Sequence, residues 1–211
     1  MTKLHIGCAD VRLSGYVNID CRETSATDIV SPAWDIRGVP PGTVSEVYSR
    51  HMLEHLDPDD ASKALVHWHS LLAPDGIVHV IVPDIEFHAK QLLGLEQSKF
   101  PDEMQHAHAG FWGWRVESRG GSREDAHRWG YTVATLSNEL ALAGFHNIRR
   151  VVEGTDSEPW HLNLVAAKPP TSANDELPGI EKMELAKYEN CDANYYQKLH
   201  DQHEAFQQNN W

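Results

Sequence analysis

One helix with legible ends stands between two short apolar runs, and that arrangement restricts what this chain can fold into more than any other feature. The helix lies in DPDDASKALVHWHSLLAPDG, residues 57–76. Asp57 stands at the N-cap and Pro58 at the first helical position, with acids in the first turn where free N–H groups favour them. Ala61, Ala64, Leu65, Trp68, Leu71 and Leu72 recur at spacings of three and four and share one face; Pro74-Asp75-Gly76 stops the helix. The flanking runs, Glu46 to Tyr48 and Ile77 to Val82, read as buried strands. A strand, a helix and a strand of these lengths close as a right-handed crossover between parallel strands.

The rest of the chain extends this unit. Further strands are expected at Leu4 to Ile6, Tyr16 to Ile19 and Asp28 to Val30. Thr132 caps a second helix, VATLSNELALAG, ended by Gly144, and HNIRRVVEG and HLNLVAAKP supply a closing pair of strands. Alternating strands and helices predict an α/β fold, a doubly wound sheet with both faces covered. Only Cys8 to Gly15 separate the first two strands, whereas a parallel crossover takes about a dozen residues or more. Two readings stand: an abbreviated parallel crossover with at most a turn of helix, or a hairpin. Residues 85–130, with HAHAGFWGWRVESRGGSREDAHRWG, break the pattern over a length typical of lids and binding loops. After Lys168-Pro169-Pro170 the composition turns polar, with Tyr188, Tyr195, Tyr196, Leu199 and Phe206 spaced along it. The expected division is a domain over 1–170 and a tail over 171–211, the tail either frayed or a helix docking a partner or a second copy.

Composition narrows the classes of function. The net charge of −13 argues against a general nucleic-acid binder, which needs an excess of Lys and Arg facing phosphates. No apolar stretch approaches the ~20 residues that span a bilayer, and MTKLHIGC lacks a basic segment followed by a long apolar one. A cytoplasmic protein is expected. Cys8, Cys21 and Cys191 lack CxxC spacing, so reduced thiols are expected too.

Five blocks in order, LHIGCAD, GYVNID, SEVYSRHMLEHL, LLAPDGIVHVIVPD and LALAGF, carry a resemblance over residues 3–168. The chain resembles the class I S-adenosylmethionine-dependent methyltransferases, most closely a small bacterial branch associated with polysaccharide and secondary-metabolite enzymes. That resemblance implies a Rossmann-like sheet of seven strands with the last antiparallel, and S-adenosylmethionine lying across the carboxyl ends of the strands.

It also implies site residues: Gly7, Cys8, Ala9, Asp20, Cys21, Asp35, Ile36, Arg50 and His51 for the cofactor. Gly7 lets bare backbone approach the methionyl part. Ala9 stands where the family usually has a second glycine, a substitution that costs about 1 kcal/mol if the position needs positive φ. Asp20 matches the acid that accepts hydrogen bonds from both ribose hydroxyls and disfavours a phosphate beyond them. Asp35-Ile36 matches the adenine edge, with Asp28 as the alternative acid.

For chemistry, the expected bases are His51, at a strand's carboxyl end, and His127, in EDAHRWGYT. Histidine suits proton removal from a hydroxyl near neutral pH. His51 and His55 bracket Glu54 on one side of a turn, but the zinc motif with two such histidines places its Glu directly after the first, so no metal is expected there. His106 and His108 share a side of an extended chain, with Asp102 and Glu103 nearby, and could hold a divalent metal, but a solvated loop is the favoured reading. Trp112 and Trp114 are expected to pack in the lid. Arg115, Arg119, Arg123 and Arg128 either hold an anionic group of the acceptor or pair with Glu117, Glu124 and Asp125. The resulting expectation is an enzyme moving a methyl group to a small polar acceptor, foremost a sugar-like hydroxyl. The alternatives are an N-methyltransferase and a non-catalytic cofactor-binding scaffold.

Overall fold

The strands β1 (Thr2–Ile6), β2 (Val17–Asp20), β3 (Ile29–Val30), β4 (Val44–Arg50), β5 (Leu72–Pro83), β6 (His146–Arg150) and β7 (His161–Ala167) form one sheet in the order β3-β2-β1-β4-β5-β7-β6. The computed structural model describes residues 1–119 and 121–170; the expected tail over 171–211 and its docking lie outside them. β1 to β5 are parallel, and β7 runs antiparallel between β5 and β6. This is the doubly wound α/β sheet with its last strand reversed. Among the described residues no helix is long and apolar enough to cross a membrane.

The helix of the opening crossover, α1, covers Pro58–Leu71 and buries Ala61, Ala64, Leu65, Trp68 and Leu71 on one side. Asp57 sits in an extended cap conformation, yet its side chain makes no cap hydrogen bond; the carboxylate goes to Arg128 at 2.8 Å. The following strand begins directly at Leu72. Pro74-Asp75-Gly76 is an irregularity inside β5, with Asp75 at φ 60° and a register shift opposite Val44/Glu46. A stop signal for a helix is thus also compatible with a strand that kinks at once.

The first pair is parallel, with Leu4 opposite Val17 and Ile6 opposite Ile19, so the hairpin reading is excluded. No helix bridges them. Fully buried Asn18 does the bracing: its Oδ1 accepts from the Leu13 N–H at 2.8 Å, and its Nδ2 donates to the carbonyls of Leu13 and Tyr16 at 3.3 and 3.1 Å. One amide thereby satisfies backbone groups that a helical crossover would have paired internally.

The two sheet faces differ. Leu4, Ile6, Val47, Val78, Val80 and Leu164 form a fully buried apolar face. On the other, the rings of His5, Tyr48 and His79 touch in a row, with Tyr48 and His79 half-buried. The chain reaches β2, β3 and β4 through loops without helices, so this polar face is covered less completely than the expected two-sided winding implied.

Between β5 and β6, α2 (Ile85–Leu92) and α3 (Glu103–Trp112) precede α4 (Val133–Leu142). Asp84 and Asp102 cap α2 and α3 through their side chains, and Thr132 and Thr135 form a reciprocal capping box on α4. The segment 85–130 thus contains two packed helices. α3 is close against α2 because Gly110 faces the His88 ring, where a Cβ would collide with the imidazole.

Candidate functional site

Loops leaving the carboxyl ends of β1, β2, β3 and β4 enclose a cavity of about 510 Å³. It lies where the strand order reverses, between β1 and β4, the position at which open α/β sheets bind ligands. Gly7 and Ala9 line it from the first turn, Asp20 and Cys21 from the second, Pro32 to Trp34 from the third, and His51, Met52 and His55 from the fourth; Arg123 and Arg128 close it from the insertion.

The first turn is drawn tightly onto β2. The N–H groups of Gly7 and Cys8 both donate to the Ile19 carbonyl, at 2.8 and 3.1 Å. Gly7 has φ 76°, and a Cβ there would run into Met52, so only glycine lets the two turns approach. Asp20, buried to 7 % exposure, accepts the Ala9 N–H through Oδ2 at 2.8 Å and the Arg22 N–H through Oδ1 at 2.9 Å. Oδ1 also receives the Cys21 thiol at 3.6 Å and stands 3.5 Å from the Arg22 guanidinium, so Oδ2 is the oxygen that keeps a lone pair for a further donor.

Ala9 does need positive φ, at 46°. Left-handed backbone costs an L-residue roughly 1–2 kcal/mol, and glycine gives back part of that through its greater unfolded-state freedom. Ala9→Gly is therefore expected to stabilise the protein by about 0.5–1 kcal/mol, read as a higher denaturant midpoint. A lower midpoint would mean that Ala9 is unstrained.

The other expected cofactor residues are scattered around this cavity. Cys8 is buried behind the turn, with Sγ 3.8 Å from the Thr27 hydroxyl. Asp35 is turned to Arg37, which donates to it at 2.7 and 2.9 Å, and Ile36 is a core residue; neither lines the cavity. Ala33 and Trp34 occupy that wall instead, and a tryptophan a few residues past a strand end was the available signal. Asp28 serves the backbone: the N–H of Asn18 and the guanidinium of Arg12 hold its carboxyl down to about 2. Arg50 also stands apart, in a two-pronged ion pair with Asp156 at 2.6 and 2.8 Å.

A second cavity, about 310 Å³, adjoins the first. His51, His55 and Asp125 line both. Its remaining wall includes His88, His106, His127, Trp160 and His161. His51 has φ 49°, a strained conformation for a residue other than glycine, of a kind concentrated at functional sites. Its Nδ1 lies 3.1 Å from Oε1 of Glu54, which is 1 % exposed. Burial pushes the Glu54 carboxyl up, but the hydrogen bond from His51 and the neighbouring imidazoles of His51, His55 and His127 outweigh it and hold the group below its ordinary value. Burial keeps His88 and His161 down to about 4, and lowers His106 and His127 as well, so these four rings are neutral near pH 7 and offer lone pairs. Glu54 is a functional candidate to which sequence reasoning gave no role; a carboxylate between two histidines was the signal.

The proposed pairing of His106 with His108 is corrected. Both lie on α3, where residues two apart do not face each other. His106 stacks on Phe100 with centroids 4.2 Å apart, and His108 is exposed. Trp112 and Trp114 are exposed on an open groove of about 980 Å³ that touches neither Gly7 nor Asp20, and Trp114 also lines the second cavity. Arg123 lines the first cavity and Arg128 is tied to Asp57, while the side chain of Arg119 lies outside those described.

Comparison with curated proteins finds no match. Among solved structures, an S-adenosylmethionine-dependent methyltransferase from Methanosarcina mazei is 15% identical, with 81% of this chain and 93% of that one covered and a TM-score of 0.52. A second from Archaeoglobus fulgidus is 16% identical, covering 79% and 86%, with a TM-score of 0.53. The 1,6-didemethyltoxoflavin-N1-methyltransferase of Burkholderia thailandensis, solved with S-adenosylhomocysteine, is 17% identical, covering 80% and 71%, with a TM-score of 0.50. At these identities the likeness shows the fold. A methyltransferase-domain family model matches residues 14–150. With the reversed seventh strand, the bare turn after β1 and the acid that ends β2 already in place, the chain belongs to the methyltransferase-domain family and is a class I S-adenosylmethionine-dependent methyltransferase.

Proposed function

We propose that the chain methylates a hydroxyl of a small polar, sugar-like metabolite, with the cofactor in the larger cavity and the acceptor in the smaller. The observation that carries this reading is the meeting of the two cavities at His51, whose ring is held by the buried Glu54 carboxylate. The larger cavity suits S-adenosylmethionine in size and in chemistry: a carboxylate whose Oδ2 has a lone pair for a ribose hydroxyl, bare backbone at Gly7, and Trp34 as an apolar wall. When bound, that cofactor supplies a methyl group on a positively charged sulfur.

What the chain must add is alignment, exclusion of water and a place for the hydroxyl proton. Placement alone is worth several kcal/mol. Glu54 only accepts, so His51 donates from Nδ1 and its Nε2 is left to take the acceptor's proton as the new C–O bond forms. His127 lines the acceptor cavity from the insertion and completes its polar wall. The insertion 85–130 acts as the substrate lid, and a cytoplasmic location suits a small-metabolite enzyme of this kind.

The test is transfer of labelled methyl to a panel of hydroxylated and aminated metabolites. His51→Ala is expected to lower turnover on the preferred hydroxyl acceptor by about 100-fold, within the range for general bases, while calorimetric cofactor affinity changes little. Turnover only on amines, or a His51→Ala variant within threefold of wild type, would discard the hydroxyl reading.

A further inference from the structure

Glu54, His55 and His127 place one ligand atom each within 4.8 Å of one another. The two imidazoles are presented in the way metal ligands need. His55 Nδ1 lies 3.1 Å from the Ala126 carbonyl, and His127 Nδ1 lies 3.0 Å from the Gly110 carbonyl. A carbonyl can only accept, so the neutral form of each ring carries its proton on Nδ1 and keeps the lone pair on Nε2. A backbone carbonyl on the far nitrogen is the usual support of a metal-bound histidine. His127 Nε2 lies 4.0 Å from Glu54 Oε1. The other carboxylate oxygen, Oε2, is buried with no hydrogen-bond partner. An orphaned carboxylate oxygen on a residue 1 % exposed is costly until a cation or a hydrogen-bond donor meets it.

We propose that Glu54, His55 and His127 bind one divalent transition-metal ion, of the zinc, manganese or cobalt class, at the junction of the two cavities. Two imidazoles and one carboxylate form a three-ligand set that leaves a position open. Ligand atoms of a tetrahedral site with bonds of about 2.1 Å stand roughly 3.4 Å apart, so closure from the observed spacing takes shifts of about an ångström or less. The open position faces the acceptor cavity, where the ion would polarise a hydroxyl whose proton passes to His51; that last placement rests on the acceptor reading above. Glu54 then has two tasks, holding His51 through Oε1 and supplying a carboxylate oxygen to the ion. Another cluster, Asp156, Glu158 and His161, also has ligand spacing. Its carboxylates are already matched by Arg50 and Lys99, at 2.6 Å each, so it lacks the orphaned charge.

The experiment uses chelator-stripped, tag-free full-length protein titrated with Zn²⁺ alone in a calorimeter, without cofactor or acceptor. One equivalent is expected to bind at micromolar affinity or tighter, and His55→Ala, His127→Ala and Glu54→Gln are each expected to weaken it by at least 30-fold. His108→Ala and His161→Ala should leave it unchanged. In wild-type protein, which avoids any folding defect of the variants, Zn²⁺ should protect His55 and His127 from diethylpyrocarbonate, mapped by mass spectrometry. No saturable binding below 1 mM, or binding that spares neither ring from modification, would overturn the site. Because the readout is metal affinity, a failure here leaves the methyl-transfer reading standing, and failure to find a hydroxyl acceptor leaves the metal site standing.

Discussion

Asp20→Ala is expected to weaken S-adenosylmethionine binding by about 100-fold or more, equivalent to roughly 2.8 kcal/mol, the largest effect of any single change in the cofactor cavity. Hydrogen bonds to a charged group contribute about 1.5–3 kcal/mol each, and a ribose offers Asp20 two hydroxyls. The same carboxylate braces the first turn through the N–H groups of Ala9 and Arg22, so the variant should also lose about 1–2 kcal/mol of stability as those donors are left to water from the cavity. Asp20→Asn retains one acceptor oxygen and should fall between wild type and alanine in both measurements. Calorimetry with the cofactor, paired with thermal melts, separates the two roles. A lowered melting point with unchanged affinity would confine Asp20 to bracing the turn and put the ribose elsewhere.

The largest expected effect on stability is at Trp68, on α1. Its side chain is fully buried, and Nε1–H donates to the Ala33 carbonyl at 2.8 Å. One residue earlier, His67 Nε2 accepts the Ile36 N–H at 2.9 Å. A single turn of α1 therefore ties down the loop that supplies Ala33 and Trp34 to the cofactor cavity. Trp68→Ala should cost about 3–5 kcal/mol, a large share of the stability of a domain this size. Trp68→Phe retains most of the apolar volume but leaves a buried carbonyl unpaired, for about 1–3 kcal/mol. It should also weaken cofactor binding several-fold by loosening that loop. Denaturant unfolding checks the first figure and calorimetry the second; a Trp68→Phe protein with wild-type affinity would show that the loop holds its shape without this bond.

Much of the fold was legible because its signals are local. α1 declares itself through Pro58, its apolar spacing and its stop, and the parallel crossover follows from the lengths of three consecutive elements. Gly7 and Asp20 could be placed at strand ends for the same reason. The helices α2 and α3 were not legible: EMQHAHAGFW has no apolar stripe, and α3 is stabilised by packing its small residues against the His88 ring. Nor could the sequence reveal that Asn18 would take the place of a crossover helix, since an asparagine in a strand carries no such message until its neighbours are fixed.

The candidate site divides along the same line. By itself the sequence determined the order of the strands with α1 and α4 among them, the turn at Gly7 and the acid at the end of β2, because periodicity, caps and turn residues act over a few positions. Only the tertiary structure decided that Glu54, His55 and His127 meet, that Asp35 turns away while Trp34 faces the cavity, and that two cavities join at His51. Those contacts join residues far apart in the chain, and they depend on how the insertion folds back over the strand ends, which no local pattern encodes.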